Sequence, residues 1–156
     1  MQFHDFHLSD YVVSEFGRRI TLHLVYEYPP SPRRDSVIEF TDVAAYHFVH
    51  TGGSIITDIC ELPLQDLVRD VGSDLTEWFR LHGGYIHWND DREIYLKALE
   101  AEGYRAWNIE SAIGFAGFVV AKRIAQIMPN QLPDPTSPPV TPAAGAAGAP
   151  SVAADH

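Results

Sequence analysis

The chain has 156 residues, 46% of them hydrophobic, which suits one globular domain able to bury a core of its own. Its 11 basic and 21 acidic residues leave a net charge of −10, which repels a phosphate backbone and argues against nucleic acid as a partner. The single cysteine, Cys60, excludes an intramolecular disulfide and a Cys-based zinc cluster.

The sequence shows neither an export signal nor a membrane-spanning stretch. The N-terminus lacks a basic region followed by an apolar stretch, and no run approaches the roughly 18 apolar residues of a membrane span. A lone cysteine also fits a reducing compartment, so we expect a cytoplasmic protein without membrane attachment. The negative charge either steers a basic partner protein into contact or merely keeps the chain soluble.

The first part of the chain carries strand patterns. Apolar and polar residues alternate between Arg19 and Tyr28, and Tyr11 to Phe16 precedes them across a turn, which predicts a hairpin. The prolines of YPPSPRRD predict a loop. VIEFTDVAAYHFVH then predicts two extended segments around a bend near Asp42, TGGS a turn, and SIITDICEL a further strand. About five strands therefore precede the first long helix.

Helix signals follow, and the domain closes with strands. Pro63 fits a first helical position, and the apolar spacing predicts helices over 63–71 and 74–81. DDREIYLKALEAEG predicts another helix that stops at Gly103. YRAWNIE and GFAGFVVAKRI predict a final hairpin with its turn at Ser111 to Gly114.

This order of elements predicts an α+β fold. We expect a mostly antiparallel sheet of about six to eight strands with two or three helices packed on one face, in a single domain over 1–127. Residues 128–156 are rich in Pro, Ala and Gly, contain no Lys, Arg or aromatic residue, and predict a disordered tail. The PTSPP within this tail can also adopt an extended polyproline conformation suited to docking, and that alternative stays open.

Four segments resemble a known kind of protein. FHDF, IEFTDVAAYHF, IITDICEL and YRAWNIESAIGFAGFVVAKRI are similar to segments of a family of small bacterial α+β domains of the kind found among immunity proteins of bacterial toxin systems. The resemblance extends to about Ile127 and lies in strand patterns. It implies an α+β domain that binds a protein, and it carries no active-site residues.

His4, Asp5 and His7 form the first candidate site, for a metal ion. On a regular strand His4 and His7 point to opposite faces, so a two-histidine clamp needs a helical turn or an irregular loop. A catalytic zinc ion usually takes three protein ligands, and further histidines are scattered along the chain. We favour structural roles for these residues, in which Asp5 bonds local backbone groups and His4 packs beside a phenylalanine. No cofactor is predicted.

The second candidate site is a protein-binding patch in YIHWNDD. Trp88 and His87 supply aromatic surface, and Asp90 and Asp91 supply charge that would attract a basic partner. The alternative is a core tryptophan beside two helix-capping acids. No segment carries a catalytic motif, since Cys60 has no evident base and Ser111 lacks the hydrolase elbow.

The function these observations favour is a small, acidic, cytoplasmic protein-binding domain of immunity type without catalytic activity. Two alternatives remain open. One is a metal-dependent enzyme that uses the scattered histidines and acids, and the other is a structural or oligomer-forming domain in which sheet edges pair between chains.

Overall fold

The structure is a computed structural model, and it describes residues 1–69 and 92–127. Two α-helical segments occur in this part, α1 over 64–69 and α2 over Arg92–Ala101, and a short 3-10 turn covers Glu15–Gly17. The strands are β1 Gln2–Ser14, β2 Arg19–Tyr26, β3 Arg34–Thr41, β4 Ala45–Leu62, β5 Arg105–Ala121 and β6 Arg123–Ile127.

The six strands form one antiparallel sheet in the order β5-β4-β1-β2-β3-β6. Strands β5 and β6 follow each other directly, separated by Lys122. This stretch of chain pairs with β4 along its first part and with β3 at its end. The sheet is therefore curled, because its two outer strands are consecutive parts of one run.

The curled sheet encloses the main core. Along β2, Ile20, Leu22 and Leu24 are buried at every second position, as a half-buried strand requires. They pack with buried residues of the other strands, and Val43 adds a side chain from the loop before β4. The strand residues of this core include Phe3, Leu8, Ile38, Phe40, Ile56, Ile59, Trp107, Ile109, Phe115 and Val119.

The two helices pack in a separate, smaller cluster. Leu64, Leu67 and Val68 of α1 and Leu96 of α2 contact Ala106, Phe118 and Val120 of β5. Phe118 and Val120 alternate along β5 with Val119 of the main core, so the helices cover the outer side of that strand. In the described ranges, no helix is long and apolar enough to cross a membrane.

The predicted α+β fold with two or three helices packed on one face is wrong. The sheet is antiparallel as expected, but its long strands, of 13, 18 and 17 residues in β1, β4 and β5, curl so that it buries its own apolar face. The short helices of the described part cover a patch of β5 and supply none of the main core.

The hairpin predicted from Tyr11 to Tyr28 is confirmed, since β1 and β2 pair across the turn that follows Ser14. The turns predicted at TGGS and at Ser111 to Gly114 are wrong, because β4 and β5 each continue through them. Gly52, Gly53 and Gly114 have positive φ there, and the register of β4 with β5 shifts after His50. These glycines form a bulge rather than two turns.

The helix predictions agree with the structure where it describes them. Helix α1 follows Pro63 and buries Leu64, Leu67 and Val68, and α2 is followed by Gly103 at φ +87. The helix predicted over 74–81, the capping acid at Asp90 and the tail over 128–156 lie outside the described residues.

Candidate functional site

The FHDFH stretch forms a bulge in β1. Asp5 has φ +66, and the register of β1 with β4 shifts between Gln2 and Phe6. Phe3 lies in the core and Phe6 packs against it, while His4 and Asp5 between them are exposed. Two residues thus lie between inward-facing phenylalanines, as a bulge requires, and strict alternation of faces does not apply here.

His7 is held by an aromatic neighbour. Its Nε2 lies 2.8 Å from the hydroxyl of Tyr28, and the two rings stack with centroids 5.5 Å apart. Within residues 1–69 and 92–127, no group of three or more His, Cys, Asp or Glu side chains is placed to hold a metal ion. The described residues bring no further ligand to His4, Asp5 and His7, and metal binding there stays a prediction.

The other described histidines lie apart. His23 Nδ1 is 2.5 Å from Asp10 Oδ1 across the β1–β2 ladder. His47 lies beside Phe118 on the outer side of β5, and His50 lies beside Phe115 of the main core. His47 and His50 therefore face opposite sides of β4.

The predicted binding residues His87, Trp88, Asp90 and Asp91 lie outside the described residues.

A different surface lies in the part that the structure describes. Large apolar side chains are exposed along the outer half of β1, on the turn after it and on the start of β4. We call this the hairpin surface: Tyr11, Val12, Val13, Phe16, Tyr46 and Val49.

The turn at the tip of the hairpin presents Phe16 to solvent. Glu15, Phe16 and Gly17 have φ values of +52, +56 and +89, and the Phe16 side chain is fully exposed. A left-handed conformation costs an ordinary residue about 1–2 kcal/mol. Local contacts hold it: Arg18 N–H donates to the Glu15 carbonyl at 3.2 Å, and the Glu15 carboxylate pairs with Arg19 at 2.9 Å. Strain combined with complete exposure of an aromatic ring is typical of a functional position.

Aromatic rings connect Tyr11 and Tyr46 of the hairpin surface to the main core. In the described part of the chain, β1 pairs with β4 only up to His7, and beyond it the two strands meet through side chains. Phe48 contacts Tyr11 at 5.3 Å, Tyr46 at 5.5 Å and Phe115 at 5.1 Å between ring centroids. Phe115 belongs to the main core, so Tyr11 and Tyr46 rest on a packed base.

Ion pairs surround the hairpin surface. Arg19 bridges Glu15 and Glu39, and Asp42 accepts from both Arg18 and Arg123, at 3.4 and 2.8 Å. Because these charges of opposite sign are paired, the rim is polar without a dominant charge, and the surface itself is apolar.

Cys60 and Ser111 are engaged in local interactions. Burial raises the pKa of the Cys60 thiol, and the neighbouring Asp58 raises it further, which disfavours the nucleophilic thiolate. Burial also acts to raise the pKa of Asp58, but hydrogen bonds from the N-terminal amine, Cys60 and the Ile59 amide outweigh it and lower that pKa. The Ser111 hydroxyl donates to the Phe115 carbonyl.

Comparison with known proteins finds no family model, no curated protein and no solved structure that matches this chain.

Proposed function

We propose that the chain is a protein-binding domain without catalytic activity, which sequesters a basic partner protein in the manner of an immunity protein through its hairpin surface. The observation that carries the proposal is Phe16, fully exposed on three successive left-handed residues in the turn that follows the exposed Tyr11, Val12 and Val13 of β1. Exposed apolar groups that form one patch mark interaction sites, because their burial is favourable by roughly 25 cal/mol per Å².

The hairpin surface has residues suited to the anchor, the aromatic contacts and the polar rim of a protein interface. Phe16 projects far enough to enter a pocket of the partner as an anchor. Tyr11 and Tyr46 offer an apolar ring and a hydroxyl, and the base beneath them limits the loss of side-chain freedom on binding. The surrounding ion pairs match a polar rim.

The basic character of the partner rests on charge. The chain carries a net charge of −10, and a field of this sign accelerates encounter with a positively charged protein. The contact itself is apolar, so ionic strength should affect the association rate more than the lifetime of the complex. The resemblance to immunity proteins implies a protein partner and says nothing about the charge of that partner.

A second candidate function is self-association. Beyond His7 the edge of β1 that faces β4 forms no ladder within the described ranges, and an open edge can pair with another chain. Light scattering at micromolar concentration separates the two candidates. A monomer excludes self-association through this edge, and a dimer that persists in the Phe16→Ser chain favours it over contact through the hairpin surface.

Site-specific cross-linking tests the main proposal. A photoreactive phenylalanine replaces Phe16 in one version of the full chain and Ile94 in another, both exposed apolar positions on different elements. Each version is irradiated in a lysate of the source cell. We expect one basic protein to cross-link from position 16 and not from position 94.

Affinity variants complete the test. Phe16→Ser should weaken capture of that protein about 30-fold, as loss of about 2 kcal/mol at an interface anchor would. Ile94→Ser is the matched control and should leave capture unchanged. Equal capture by both variants, or cross-links of equal yield from both positions, contradicts the proposal.

A further inference from the structure

A second aromatic cluster lies at the other end of the β1–β2 pair from Phe16. It contains Phe6 and His7 of β1, Tyr26 of β2, Tyr28 after it, and Arg34 at the start of β3, and we call it the Tyr28 cluster. The rings of Tyr26 and Tyr28 lie 5.2 Å apart, those of Phe6 and Tyr26 5.6 Å apart, and His7 stacks on Tyr28.

Arg34 gives this cluster a cationic side. Its guanidinium lies over the Tyr26 ring, 4.3 Å from the centroid, and 5.5 Å from that of Phe6. Arg34 and Tyr28 are both exposed. Nearby Arg33 pairs with Asp35 and Glu27, whereas no carboxylate among the described residues pairs with Arg34. The exposed Tyr28 ring and the guanidinium of Arg34 therefore belong to one cluster.

Strand β6 runs along β3 toward the Tyr28 cluster and ends at Ile127. Ile127 pairs with Val37 of β3, and the Gln126 side-chain amide donates to the Ser36 hydroxyl at 2.8 Å. Because β6 is antiparallel to β3, the chain leaves Ile127 in the direction of Arg34. Arg34 lies three positions before Val37 along β3, about 10 Å at the rise of a strand.

The segment that follows has the composition that such a cluster binds. Residues 128–156 contain PTSPP at 135–139, preceded by Asp134. A polyproline segment presents rings and carbonyl acceptors, and proteins bind it with aromatic grooves and hydrogen-bond donors. A proline ring of Pro138 or Pro139 suits the exposed Tyr28 ring. The Arg34 guanidinium can donate to carbonyl oxygens of the proline segment, and Asp134 complements the charge of Arg34.

We propose that the PTSPP segment of this chain docks in an extended polyproline conformation on the Tyr28 cluster of the same molecule. Pro138 lies eleven positions after Ile127, which gives a flexible linker a root-mean-square reach of roughly 18 Å. This reach exceeds the span of about 10 Å along β3. The tether gives an effective concentration in the millimolar range, so that a weak contact is sufficient. The docking is independent of the function proposed for the hairpin surface.

Paramagnetic broadening in the full chain tests the docking. Ala143→Cys in a Cys60→Ser background carries a nitroxide label just beyond PTSPP, and the signals of Tyr28 and Arg34 are recorded by NMR. We expect these signals to broaden strongly, and to lose most of that broadening in the Pro138→Ser/Pro139→Ser chain. The double variant retains the length and exit of the tether and therefore measures broadening from proximity alone.

Two controls make the result specific. Tyr28→Ala should abolish the broadening at Arg34, while Tyr46→Ala, which removes an exposed tyrosine of the hairpin surface, should leave it unchanged. The broadening should also be independent of protein concentration. Equal broadening with and without the prolines, or broadening that rises with concentration, overturns the proposal, the latter by assigning the contact to a second copy.

Discussion

Gly114 offers the sharpest test of the bulge that replaces the two predicted turns. Its φ is +76, and a Cβ added there would lie 2.4 Å from the Gly52 carbonyl oxygen and 3.1 Å from the backbone of Ser54. Both obstacles are backbone atoms of β4, which cannot move aside as a flexible side chain would. Gly114→Ala therefore combines an unfavourable conformation with a clash between two strands.

The magnitude follows from these two effects. The left-handed conformation costs an alanine about 1–2 kcal/mol. Displacing the β4 backbone resembles the overpacking of a core, which costs about 1–3 kcal/mol. We expect Gly114→Ala to lower the free energy of unfolding by about 2–5 kcal/mol. Gly52→Ala and Gly103→Ala, at φ +88 and +87 with no atom within 4 Å, should lose only the first part.

Urea unfolding of the three variants measures the difference. The midpoint of Gly114→Ala should fall well below those of Gly52→Ala and Gly103→Ala, and the controls should agree with each other. A loss for Gly114→Ala within about 0.5 kcal/mol of the controls would refute the close approach of β5 to β4 at this bulge.

Three further predictions concern single side chains. Phe40→Ala, at a completely buried position, should cost about 3–5 kcal/mol in urea unfolding, whereas Phe16→Ser should change stability by less than about 0.5 kcal/mol; equal losses would contradict the exposure of Phe16. Because burial and Asp58 raise the pKa of Cys60, iodoacetamide at pH 8 should alkylate the native thiol more slowly than the urea-unfolded one, and equal rates would contradict this. Burial acts to raise the pKa of Asp58, but hydrogen bonds outweigh it and lower that pKa below 3.8. The carboxylate therefore stabilises the fold above pH 3.8, and this stabilisation is lost as pH falls through the folded pKa. Asp58→Asn should reduce the free energy of unfolding at pH 7, and a loss that persists unchanged at pH 2 would show another cause.

Local patterns in the sequence were sufficient where one period governs a segment. The alternation in β2 predicts burial of Ile20, Leu22 and Leu24, and all three lie in the core. The spacing after Pro63 predicts the buried face of α1 in the same way. These segments each contact one apolar environment, so their side-chain period alone specifies the buried face.

The same reasoning failed where glycine or a left-handed residue interrupts a strand. TGGS and the Gly114 segment are as compatible with turns as with a bulge, and the choice depends on whether β4 finds β5 as a partner across both. Asp5 shows the same effect at FHDFH, where positive φ cancels the alternation on which the metal argument depended. Curling of the sheet likewise depends on β6 pairing with β3, a contact between distant parts of the chain.

The exposed side chains that precede Phe16 could have been predicted from the sequence. Tyr11, Val12 and Val13 are consecutive apolar residues, and a strand with one buried face requires only every second one. In the structure all three are exposed, although their partners on β2 include the buried Ile20 and Leu22. A consecutive apolar run in β1, next to the alternating pattern of β2, therefore predicts that β1 has exposed apolar side chains.

The outer half of β1 contributes to the fold through its backbone ladder and through the Tyr11 ring. Tyr11 and Val13 pair with Leu22 and Ile20, and the ladder hydrogen bonds keep those core residues in position. A polar residue with good strand propensity, such as threonine, would serve the ladder equally well. Tyr11 contacts Phe115 at the edge of the core, whereas Val12 and the fully exposed Phe16 on its strained turn lie outside it. The complete exposure of Phe16 is the reason that we place the proposed function on the hairpin surface rather than on the histidines.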